Sequence, residues 1–239
     1  MIDLKKSQPH IMQGRVIYVL AITAIIQTLY PITENAPTAV LIGFQMLYFL
    51  LIVAGILVVR DSPRNFWILI ALGVLWVITG VNFALNLTEP MAQLAAYVVI
   101  ALYQAMVVQV LLRYIFTTRR VSRDVIFAAC AIYLLIGAIF VGVFGALDIV
   151  TVQQTGGHAF RDSLIAETDA LPWQHIAYYS AVTLTTMGYG DVLPVTAWAR
   201  SLASLEAIIG VLYLTVVVAR LVGLYASQET EHHESEIVD

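Results

Sequence analysis

The run Thr185-Thr186-Met187-Gly188-Tyr189-Gly190-Asp191 is where the residue types of this chain could do chemistry, and that chemistry is ligation of a cation by oxygen. Backbone carbonyls replace the water shell of a cation when successive peptides turn their oxygens toward one axis. That requires alternating backbone conformations, which glycine reaches without steric cost. Gly188 and Gly190 stand two residues apart, where such alternation needs them. Thr186 adds a hydroxyl below the carbonyls of Thr186, Met187, Gly188 and Tyr189, so the segment offers stacked levels of hard oxygen ligands. No nucleophile–base pair, metal-ligand spacing or phosphate loop accompanies it, and no enzymatic reaction is expected.

The elements that must position this segment are membrane spans. With 239 residues, 60% of them hydrophobic and 12% charged, the chain reads as an all-α polytopic membrane protein whose surroundings are membrane lipid, with no nucleic acid and no evident soluble partner. Cys130, the single cysteine, lies in an apolar run and is expected to pack there. About 20 apolar residues cross the hydrocarbon, and six segments qualify: 16–31, 38–59, 66–87, 91–116, 125–147 and 197–226. The first is long enough to span and lacks a small-residue cleavage site, so it is read as uncleaved. Lys5, Lys6, Arg15, Arg60, Arg64, Arg113, Arg119, Arg120, Arg123 and Arg220 fall on one side of this layout, against Arg161 and Arg200 on the other. The positive-inside rule then puts both termini in the cytoplasm and the loop carrying 185–191 outside.

That loop is polar from 148 to 170, as an outer turret would be, with His158 expected as an exposed loop histidine of no special role. Pro172 suits a first helical position, and residues 173–184 make about 18 Å of helix, half the bilayer. Such a re-entrant segment is tolerated where protein or a water-filled cavity surrounds it, and its carbonyl end would favour a cation at the membrane centre.

In this setting the run at 185–191 resembles the filter of the potassium-channel superfamily, usually Thr-Val-Gly-Tyr-Gly, in which carbonyl rings replace the hydration shell of K+. The resemblance covers about 173 to 225 and is only architectural for the first four spans. It implies K+ as the permeant ion, coordinated by Thr186, Met187, Gly188, Tyr189 and Gly190. Met187 stands where valine is usual and would contribute its carbonyl. It also implies an aromatic collar of Trp173, Tyr178 and Tyr179, a bond from Tyr179 to Asp191, support from Thr185, and a gating hinge at Gly210. Four identical chains around one axis complete such a pore, so a homotetramer is expected. The rival readings are a weakly selective cation channel and a transporter-type or regulatory membrane subunit.

Glu206 lies inside the sixth span, where an ionisable group should face protein. It is expected behind the filter, bonded to Thr183, Ser180 or a pore-helix tyrosine. Arg220 reads as a snorkelling interfacial arginine. Gln45, Asn82, Asn86 and Gln104 are polar groups for interhelical hydrogen bonds. The fourth span carries Gln93, Gln104, Gln109 and only Arg113, not the arginine ladder of voltage-gated relatives, so steep voltage gating is not expected. The organisation expected is a cytoplasmic tail at 1–15, a voltage-sensor-like four-helix domain without gating charges at 16–116, a pore domain at 117–226 and a disordered acidic tail at 227–239. Small size suggests a bacterial protein in the cytoplasmic membrane.

Overall fold

Punctuation in the sequence sets the helix boundaries. The computed structural model describes residues 14–34, 36–60, 62–85, 89–163 and 171–238. Helix α1 (Val16–Leu29) runs into a 3-10 turn at Tyr30–Thr33, and Pro37 precedes α2 (Thr38–Val59) with extended backbone. Prolines begin α3 (Pro63–Leu85) and α4 (Pro90–Thr117), where a missing N–H costs nothing. The hydroxyl of Ser122 accepts from the Val125 amide to cap α5 (Arg123–Thr155), and Asp124 sits in its first turn. A left-handed Gly156, φ 76°, ends that helix. The helix thus runs eight residues beyond the expected 147, because no breaker stands between Leu147 and Gly156.

A short strand β1 (Phe160–Asp162), the half-length helix α6 (Trp173–Leu184) and strand β2 (Val192–Pro194) follow, then the long α7 (Ala197–Val238). Helix α7 corrects the expectation of a disordered tail. No glycine or proline follows Gly223, so the helical register of the span continues to Val238. The histidines and acids of that tail lie outside what is described of side chains, and Lys5, Lys6, Asn86, Glu167 and Asp169 lie outside the described residues altogether.

Six of these helices are long and apolar enough to cross a membrane, and α6 is not among them. The architecture is that of an all-α membrane protein. Helix α5 is its centre, packing on α1, α4, α6 and α7. It meets α4 closely because Gly142 and Gly145 face Ala101 and Tyr97 with no room for a side chain, the small-residue contact usual between helices in lipid. Gln27 on α1 donates to the Leu134 carbonyl of α5 at 2.7 Å. Tyr103 of α4, 1% exposed, donates to the Ile52 carbonyl of α2 at 2.7 Å. Cys130 is exposed on α5 rather than packed.

Strands β1 and β2 pair antiparallel, with Phe160 opposite Pro194 and Asp162 opposite Val192. This two-stranded clip ties the turret to the chain leaving the 185–191 run. Two histidine–aspartate pairs fix it further: His158 Nδ1 lies 2.9 Å from Asp148 Oδ2, and His175 Nδ1 lies 2.6 Å from Asp162 Oδ2. His158 is therefore partly buried and bonded rather than a free loop histidine, because α5 extends far enough to bring Asp148 beneath it.

Candidate functional site

Helix α6 and the segment after it are one continuous backbone construction. Thr185 caps the helix, and Thr186 adopts φ 59°, the single left-handed non-glycine residue among the described residues. The Thr186 amide donates to Thr183 O at 3.0 Å and the Met187 amide to Val182 O at 2.9 Å. These two bonds, with a left-handed residue between helix and exit, make a Schellman cap. The carbonyls of Ala181, Val182 and Thr183 at this helix end thus accept from backbone donors. Pro172 stands one position before the helix, with extended backbone, and not at its first helical residue.

Beyond the cap the backbone alternates. Thr186, Gly188 and Gly190 have φ of 59°, 58° and 79°, while Met187 and Tyr189 between them do not take positive φ. This is the alternation that turning successive carbonyls to one side requires. The Thr185 hydroxyl donates back to Ala181 O at 2.6 Å, holding the start of the segment to the helix. The side chains of Met187 and Tyr189 are 52% and 67% exposed in the single chain.

Asp191 closes the segment on its other end. The Tyr178 hydroxyl donates to Asp191 Oδ2 at 2.6 Å, the Val192 amide to Oδ1 at 3.0 Å, and the Ser163 amide to the Asp191 carbonyl at 2.9 Å. The hydrogen bond from Tyr178 holds the Asp191 carboxyl below its usual range. The expected partner was Tyr179, which is corrected here. Tyr179 points the other way, 6% exposed, with its ring 5.3 Å from Phe144 and 5.2 Å from Phe160. Trp173 packs within the protein on Tyr30 and Phe44, at 6.1 and 5.9 Å.

Behind the segment, Glu206 of α7 is fully buried and lies with Oε1 2.5 Å from the Ser180 hydroxyl of α6, one of the three partners foreseen. Gly210 also lies against α6, where an added Cβ would overlap the Leu184 carbonyl oxygen. Sequence reasoning missed Tyr133 on α5, which donates to that same oxygen at 3.3 Å. The signal was a lone tyrosine in an apolar run, whose hydroxyl needs a partner when buried. Arg220, expected as an interfacial arginine, has protein partners as well. It reaches the carbonyls of Ile115, Phe116 and Thr118 at 2.7 to 3.1 Å, because the end of α4 packs close to α7 and has orphan carbonyls to offer. Among the described residues no group of His, Cys, Asp and Glu could hold a metal ion.

Residues 147–226 match the family described as Ion channel. The chain is 35% identical over 104 residues to Potassium voltage-gated channel subfamily A member 5 of Rattus norvegicus, across 42% of this chain and 16% of that protein. The Homo sapiens protein of the same name is 32% identical over 108 residues, across 44% of this chain and 16% of its own length. The chain thus spans about a sixth of the length of these relatives, and no solved structure matches it. The matched region holds α6, the alternating segment and the apolar part of α7. From this match and this geometry, residues 147–226 are similar to an ion-channel domain, and part of the chain is similar to voltage-gated potassium channels.

Proposed function

We propose that four copies of the chain assemble around one axis and pass K+ selectively and passively through a filter lined by Thr186, Met187, Gly188, Tyr189 and Gly190. The observation that carries this reading is the alternation of left-handed backbone at 186, 188 and 190, directly after a helix too short to span. Carbonyls turned to one side by that alternation give the ion a ring of oxygens only when several chains contribute. The exposed Met187 and Tyr189 side chains, and the exposed apolar face of α7 with Ile208, Val211, Leu212, Val218 and Val222, support the same assembly. Neighbouring subunits would cover them.

Within that pore, Thr185, Tyr178 and Asp191 tie the filter to α6, Tyr179 wedges its outer side, and Glu206 steadies it from behind through Ser180. The four helices 16–116 form a peripheral domain, 117–226 the pore, and 227–239 a cytoplasmic extension, with both termini on the cytoplasmic side of the cell membrane. One arginine on α4 gives no steep voltage gating. Purified protein in liposomes should show potassium flux blocked by barium, and Glu206→Gln should shift open probability or its pH response. Flux absent from intact tetramers would refute the proposal.

A further inference from the structure

Two contacts outside the filter converge on one oxygen. The last turn of a helix leaves four carbonyls to be satisfied. In α6, Ala181 O accepts from the Thr185 amide, Val182 O from Met187 and Thr183 O from Thr186. That backbone cap does not reach the Leu184 carbonyl. The Tyr133 hydroxyl of α5 takes it at 3.3 Å. From α7, Gly210 leaves room for the same oxygen: an added Cβ would overlap it and sit 3.0 Å from Leu184 Cδ1. The obstructing atom is backbone, so no side-chain rotation relieves the clash.

One turn earlier on α6 the same three helices meet again. The Ser180 hydroxyl lies 2.9 Å from Gly137 O of α5 and 2.5 Å from Glu206 Oε1 of α7. Residues 180 and 184, 137 and 133, and 206 and 210 are each one helical turn apart, so matched faces seat α6 between α5 and α7 on two successive rungs. The second rung ends two residues before the left-handed turn at Thr186.

We propose that Tyr133 and Gly210 are positioning residues for ion selection, holding the Leu184 carbonyl in place and thereby setting where the alternating segment begins. Gly210 then acts as a seat for the filter instead of a bend in the inner helix. A ligand set needs its geometry held within about half an ångström by the shell behind it, and the rung at Leu184 is the last such support before the oxygens. This assignment rests on the reading that the filter conducts potassium selectively.

Tyr133→Phe and Gly210→Ala, reconstituted as tetramers, test it by reversal potentials in mixed potassium and sodium and by single-channel open probability. The Phe variant keeps its ring stacked on Tyr213, 6.0 Å away, and loses one hydroxyl. It should lower the potassium-to-sodium permeability ratio about fivefold, and Gly210→Ala should lower it further. Should the Ala variant fail to assemble, Tyr133→Phe decides alone. An unchanged ratio in an assembled variant, with open probability altered, makes Gly210 a hinge and overturns the inference. A wild-type channel without selectivity overturns the channel reading first, and this inference with it.

Discussion

Thr186 holds a left-handed backbone that costs a non-glycine residue about 1–2 kcal/mol. The structure offsets this with the two Schellman bonds on either side of it, and retains a hydroxyl where a glycine would have none. At the other end of the segment, Asp191 supplies a pH-dependent tie. Its carboxyl is lowered by the bond from Tyr178, so the stability it contributes is fully present above the ordinary value of 3.8 and is lost as pH falls through the lower, folded value. Heat resistance of the assembled protein should therefore stay flat from neutral pH down to about pH 4 and fall below it. Tyr178→Phe should lower the plateau and flatten that fall. A fall centred near neutral pH would point to another group. Which of two adjacent tyrosines makes this bond was not legible in the sequence, since neighbours on a helix point about 100° apart and only the packing of Phe144 and Phe160 around Tyr179 selects Tyr178.

Helix ends carry the argument at the scale of elements. Runs of apolar residues announced the spans, because about 20 of them have one stable use in lipid. Their ends were less legible: α5 continues to Gly156 and α7 to Val238 where polarity alone suggested a stop. The partners of Arg220 were not legible for the same reason, since they lie on a helix a hundred residues away. Three carbonyls at the end of α4 accept from it, and its guanidinium lies 5.2 Å from the Phe116 ring. Arg220→Ala should cost about 1–2 kcal/mol in detergent unfolding, with Arg220→Lys recovering only part because a point charge cannot bridge three acceptors. Equal stability of the Ala variant and wild type would remove the clamp. Helix α4 itself bears Arg113, which is exposed near its C-terminal end. One charge crossing the whole field contributes about 2.3 kcal/mol per 100 mV, so the conductance–voltage relation should be shallow and Arg113→Gln should leave it nearly unchanged. A steep relation would require charge movement that this helix does not supply.

At the scale of the molecule, a single chain leaves its functional surface uncovered. The alternating segment, Met187, Tyr189 and an apolar face of α7 are exposed in the single chain, as are many apolar residues of α1 to α4 that lipid would cover, whereas α5 is packed against its neighbours. The proposed symmetric assembly would cover the segment and the α7 face with no new fold. Mass measurement of the protein in detergent should give four chains, and a stable monomer would leave the exposed face unexplained. The composition of the filter segment was legible from the sequence because glycine spacing reports backbone conformation directly. The shell behind it was legible only in part: Ser180 was foreseen as a partner of Glu206, but Tyr133 and Gly137 reach α6 only through its packing against α5. The most direct test of the account is the reversal potential of purified, reconstituted protein with potassium on one side and sodium on the other. The account predicts that it settles close to the potassium equilibrium potential, and a reversal potential near zero would contradict it.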